Sequence, residues 1–154
     1  MNNFFKSVLL AALLTACAGA PAATPSPIPK PTVPPITLEL ASKGEEMSYI
    51  NNHFEVPAGA QVTLKLINNS MSLMHNWVLV KPGQADVVAT DGAAAGEGND
   101  YLVKGDKRVI AATRMAKAKE TVEVTFPAPP PGTYPFLCTF PGHAAMMHGE
   151  LVVK

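Results

Sequence analysis

The sequence predicts an all-β fold, a sandwich or barrel of short strands, and three observations predict it. Apolar residues between positions 36 and 154 recur mostly with period two, the signature of half-buried strands. The alternating segments are short and separated by Gly-, Pro- and Asn-rich turns. Only one stretch, residues 84–107, breaks that rhythm. Many short strands with punctuating turns indicate two packed sheets or a closed one.

In chain order, residues 36–40 (Ile-Thr-Leu-Glu-Leu) alternate as a first strand. Pro57-Ala58-Gly59-Ala60 forms a turn into a strand over 61–67, with Val62, Leu64 and Leu66 on one face. Asn68-Asn69-Ser70 ends it. Residues 76–80 form the next strand, stopped by Lys81-Pro82-Gly83, with Trp77 pointing into the core. The 84–107 stretch is rich in Ala and Gly and predicts a short helix near 84–90 within a longer excursion over the side of the fold. Its Gly96-Glu97-Gly98 is not a phosphate loop, because no strand leads in and no helix follows directly. Strands over 108–113, 121–126, 133–137 and 149–153 complete the set, with Pro129-Pro130-Pro131-Gly132 turning between two of them.

The first 35 residues are of another kind. Lys6, an apolar run over 8–14 and Thr15-Ala16-Cys17 have the order of an export signal, assigned to residues 1–16. The run falls short of the roughly 18 residues that span a bilayer. Leu14-Thr15-Ala16-Cys17 resembles a bacterial lipobox, in which the Cys is acylated and becomes the first residue. Residues 17–35 follow as a lipid-anchored linker carrying seven Pro. Extended at about 3.1 Å per residue, it would reach on the order of 50 Å. The expectation is an exported domain on the extracytoplasmic, periplasmic side of the cell membrane, held there through lipid on Cys17.

At 154 residues, one domain accompanies this tail. Twelve basic and twelve acidic residues cancel, which excludes a polybasic nucleic-acid binder. Two Cys exclude a disulfide scaffold.

The chemistry is concentrated near the C-terminus, in Cys138-Thr139-Phe140-Pro141-Gly142-His143-Ala144-Ala145-Met146-Met147-His148-Gly149. Alone, Cys138 reads as a small buried hydrophobe, His143 as a loop residue and either Met as core filler. Together, Cys-x4-His-x3-Met between two strands, with His75 before an upstream strand, is a strong metal pattern. One thiolate, two imidazoles and a thioether suit copper in a trigonal His₂Cys plane with a long axial Met. A site filled by protein ligands leaves no open position for a small-molecule substrate, so an enzyme is not expected. The sequence also lacks the His-x-His pair that a further copper centre would use.

Three blocks make the chain similar to cupredoxins of the azurin and auracyanin type. They are Met74-His75-Asn76-Trp77-Val78-Leu79, then Thr90-Asp91-Gly92 through Asp100-Tyr101-Leu102 to Arg108-Val109-Ile110-Ala111, then Cys138 to Gly149. The resemblance runs through nearly all of 36–154 and implies a Greek-key cupredoxin domain there. The lipobox and Pro-rich linker fit the membrane-tethered auracyanins better than azurins.

The resemblance implies one type 1 copper ion, cycling between Cu(I) and Cu(II), with His75, Cys138 and His143 as equatorial ligands. Met146 and Met147 compete for the axial place, and azurin-like spacing with Gly149 following favours Met147. Met74 stands where azurins have a Gly whose carbonyl is a distant second axial group. Asn76 matches the residue that ties the two ligand-bearing segments together. His148, where azurins have a surface Lys, and His53 are expected to be solvated. The azurin disulfide has no counterpart. The implied function is electron transport in a bacterial photosynthetic or respiratory chain, by a monomer. Its partners would be redox proteins, such as a membrane quinol-oxidising complex and a cytochrome or reaction centre. Electrons would pass at the His143 edge, within a patch of Leu73, Phe140, Pro141, Ala144, Ala145 and Met146.

Overall fold

The computed structural model describes residues 33–154; the assigned export signal, Cys17 and the linker as far as residue 32 lie outside the described residues. Eight strands and one α-helix follow: β1 (Ile36–Ala41), β2 (His53–Val56), β3 (Gln61–Ile67), β4 (Val78–Val80), α1 (Ala85–Ala95), β5 (Val109–Ala112), β6 (Thr121–Pro127), β7 (Gly132–Leu137) and β8 (His148–Val153), with a single 3-10 turn at Glu97–Asn99 after α1. They form a sandwich of two sheets, one ordered β1-β3-β6 and the other β2-β8-β7-β4-β5. β1 runs parallel to β3 and β2 parallel to β8, while the other pairs are antiparallel.

The alternation seen in the sequence sets the facing sides. Val62, Leu64 and Leu66 of β3 are all fully buried, while Gln61, Thr63, Lys65 and Ile67 between them are only partly so. In register, Leu64 lies opposite Leu38 on one side and Val124 on the other. Trp77 fills the space between the sheets as expected, fully buried, its ring 5.6 Å from Phe126 of β6 and 5.9 Å from Phe136 of β7. Offset aromatic contacts of this kind add to the burial of apolar area. No helix among the described residues is long and apolar enough to cross a membrane.

Three elements depart from the sequence reading. The polar approach to β2, Asn51-Asn52-His53, conceals a strand that pairs in parallel with β8, His53 against Glu150 and Val56 against Val153. That pairing is non-local, and only Phe54 and Val56 hint at it. The helix of the excursion is also longer than 84–90, because Ala93, Ala94 and Ala95 continue it until Gly96, at φ 76°, ends it. It packs Val88 over a second, smaller cluster of Val78, Val80 and Leu137. β4 starts at Val78 rather than at residue 76, because the preceding residues pair elsewhere, as described next.

Candidate metal centre

His75 lies just ahead of β4, in a two-residue bridge with Ala116: its N–H donates to the Ala116 carbonyl at 3.1 Å, and the Ala116 N–H donates back at 2.7 Å. Two residues on, the Trp77 N–H donates to Thr113 Oγ1 and the Thr113 N–H to the Trp77 carbonyl. The residue that presents the imidazole is therefore fixed at both backbone groups. The loop before it is held by Asn68, 1% exposed, whose side-chain amide donates to the carbonyls of Leu73, Ala116 and Lys117 and accepts from Ser42 and the Ser70 N–H. Glu45 adds a second anchor, accepting from the hydroxyls of Ser70 and Ser72 and from the Met71 N–H. These contacts hold its carboxyl below the usual range.

Cys138, His143 and Met147 sit in one tight loop between β7 and β8. The Cys138 N–H donates to the Met147 carbonyl at 2.9 Å, the Met147 N–H to the His143 carbonyl at 2.8 Å, and the His143 N–H to the Phe140 carbonyl at 3.0 Å. Asn76 joins the two segments. Its Oδ1 accepts from the Thr139 N–H at 2.9 Å, and its Nδ2 donates to Thr139 Oγ1 at 2.8 Å and to the Asp100 carbonyl at 3.1 Å. Its own carbonyl accepts from the buried Tyr49 hydroxyl at 2.6 Å. Bonds of this kind fix ligand orientation and tune a metal.

The loop and the bridge bring three donors together. The Cys138 sulfur lies 4.0 Å from His75 Nδ1 and 3.7 Å from His143 Nδ1, and all three donor atoms lie within 4.8 Å of one another. Bond lengths of about 2.3 Å to sulfur and about 2.0 Å to nitrogen in a trigonal plane put S and N about 3.7 Å apart, so one ion fits between them. His75 and Cys138 are fully buried, and His143 is 3% exposed. His53 and His148 are both exposed and stand apart from this cluster. The His148 ring instead meets the Ala144 carbonyl at 2.9 Å.

The neighbouring methionines separate cleanly: Met147 is fully buried, while Met146 is 65% exposed. Azurin-like spacing favours the same residue. Of the expected surface patch, Pro141, Ala145 and Met146 are exposed. Ala144 instead turns partly inward, against the cluster under α1.

Burial sets the protonation of the donors. It lowers His75 to about 4, helped by the neighbouring His143, and lowers His143 in the same direction. Both imidazoles are then neutral and able to bind a metal at neutral pH. Burial also pushes the Cys138 thiol up to about 11, so its proton must leave when a metal enters.

Residues 36–154 match the family of copper-binding proteins described as plastocyanin/azurin. The chain belongs to that family of blue copper electron carriers, which are not enzymes. It is 45% identical to auracyanin-A of Chloroflexus aurantiacus over 122 residues, 78% of this chain and 75% of that one. An azurin of Pseudomonas fluorescens biotype C is 48% identical over 83 residues, 52% of this chain and 65% of the azurin. Among solved structures, the auracyanin A of Chloroflexus aurantiacus superposes with a TM-score of 0.75 over 78% of this chain and 99% of that one. The dithionite-reduced auracyanin of Roseiflexus castenholzii, 40% identical, superposes at 0.73, covering 77% and 96%. The cofactor is copper, and His75, Cys138, His143 and Met147 are arranged as a type 1 site.

Several supporting residues are not singled out by the sequence. Tyr49, Asn68, Asp100 and Thr113 act through bonds to partners at least 15 residues away, apart from Asn68's contacts with its own loop. Asn68 draws notice only as part of a strand stop, and Asp100 only as part of a block of family resemblance, with no role attached to either.

Proposed function

We propose that this chain is a membrane-tethered type 1 copper electron carrier. His75, Cys138 and His143 act as equatorial ligands and Met147 as the axial one. The observation that carries the reading is the meeting of one thiol and two neutral imidazoles, with their donor atoms within 4.8 Å in a buried pocket. Bound copper supplies a one-electron couple between Cu(I) and Cu(II). The chain's contribution is to keep the ligands still while the charge changes. Asn76 ties the His75 segment to the Cys138 loop, and the Ala116 bridge fixes His75. The exposed apolar residues Pro141, Ala145 and Met146 beside His143 suit brief encounters with redox proteins.

The tether rests on the Leu14-Thr15-Ala16-Cys17 sequence and the seven prolines after it. It would hold a monomeric domain on the extracytoplasmic side of the membrane. Donor and acceptor there would be a membrane quinol-oxidising complex and a cytochrome or reaction centre. Mass spectrometry of membrane-extracted protein should show lipid on Cys17, and a lipid-free N-terminus would refute the anchor.

Titration of the full chain with copper(II), beside Cys138→Ser, tests the ligand set. An intense blue band with narrow copper hyperfine splitting in EPR, bleached by reductant and lost in the variant, is the expected result. Pale binding that survives Cys138→Ser would overturn it.

A further inference from the structure

The excursion between α1 and β5 reaches the metal centre through one strained corner. Asp100 and Tyr101 are consecutive and both have positive φ, 54° and 52°. Asp tolerates that region, but a bulky ring does not adopt it without cost. Such outliers persist only where the surroundings over-determine them, and they gather at functional sites. The surroundings here do so. The N–H groups of Asp100 and Tyr101 donate to the carbonyls of Glu97 and Gly96, and the Leu102 N–H donates to Asn99. Asp100 Oδ1 accepts from the Met115 N–H at 3.0 Å, and the Asp100 carbonyl accepts from Asn76. A Cβ added at Gly92 of α1 would collide with the Tyr101 carbonyl, so the helix closes on the corner from behind.

The outcome of this strain is a position for one ring. Tyr101 meets Phe140 edge-on, with centroids 5.0 Å apart. Phe140 in turn meets His143 at 4.6 Å. Phe140 is the residue whose carbonyl accepts from the His143 N–H, so ring and backbone contacts act on the same imidazole.

We infer that Tyr101 is a positioning residue for His143, acting through Phe140, and that the Asp100–Tyr101 corner exists to hold it there. The inference deepens the ligand reading proposed above and rests on it for His143's role. The Tyr101 ring matters and its hydroxyl does not, because the contact is made by ring edge and face. Removing the ring frees Phe140 to tilt, and the His143 imidazole loses the wall that fixes its orientation.

The test compares Tyr101→Leu and Tyr101→Phe with the unaltered full chain, metal-free and copper-loaded. In metal-free protein, histidine-ring NMR should report one orientation of His143 in the unaltered chain and in Tyr101→Phe, and exchange broadening in Tyr101→Leu. In copper-loaded protein, Tyr101→Leu should show altered copper hyperfine splitting and lose copper to a chelator about tenfold faster, the scale expected when an outer support of a ligand is removed. Tyr101→Phe should match the unaltered chain in both. Unaltered His143 signals in a folded Tyr101→Leu would overturn the inference, as would a Tyr101→Phe as perturbed as Tyr101→Leu. Should Tyr101→Leu not fold, nuclear Overhauser contacts between the Tyr101, Phe140 and His143 rings in the unaltered chain decide the matter, since their absence refutes the chain of contacts. Failure of the blue band in the unaltered chain would sink the ligand reading, while the metal-free signals would still judge the positioning one.

Discussion

Asn76 shows how much a single side chain does here. Its amide makes three hydrogen bonds, to the Thr139 N–H, the Thr139 hydroxyl and the Asp100 carbonyl, and it is fully buried. Asn76→Ala leaves those groups without partners in the interior, which costs about 2–4 kcal/mol. Chemical denaturation of the metal-free protein should read that loss, with an unchanged m-value. Ala145, by contrast, is exposed beside the buried His143 and carries no packing role. Ala145→Glu should leave the visible spectrum intact and slow electron exchange with redox proteins several-fold in stopped-flow mixing. The ligand residues were legible because their types and spacing are peculiar to this chemistry. The roles of Tyr101 and Asp100 were not, although both lie in a block of family resemblance, because nothing local in Asp-Tyr-Leu announces two positive φ values or a ring contact 39 residues on.

Strands carry the same contrast one level up. β3 could be read from Val62, Leu64 and Leu66 alone, since local alternation and burial agree. β2 could not, because its four residues are ordered by a parallel partner nearly a hundred positions away. β8 owes its place to Gly149, where a side chain would meet the Asn52 carbonyl and the Phe136 ring. Those are the backbone just ahead of β2 and a core ring of β7. Gly149→Ala should therefore pry at the junction of β2, β8 and β7 and cost about 1–3 kcal/mol, the range of overpacking. Thermal melting should show it, and a melting point unchanged from the parent would contradict this packing.

At the scale of the molecule, the metal-free domain should be most stable within a window of pH. His75 falls from an ordinary value of 6.5 to about 4 in the folded chain, so the unfolded chain binds its proton first as pH drops. Stability held above 6.5 is lost as pH falls toward 4, by about 3 kcal/mol. His143 shifts in the same direction and adds to the loss. Cys138 rises from 9.0 to about 11, so the folded chain keeps its proton longer and stability declines as pH climbs through that range. Denaturant midpoints measured from pH 4 to 11 should peak between about 6.5 and 9; a flat profile would contradict the burial of the donors.

The most direct test of the central claim is a crystal structure of the copper-loaded protein, with anomalous scattering recorded at the copper edge. One anomalous peak should lie between His75 Nδ1, His143 Nδ1 and Cys138 Sγ, with the Met147 sulfur the next nearest donor. A peak elsewhere, or one approached by Met146 in place of Met147, would contradict the assignment.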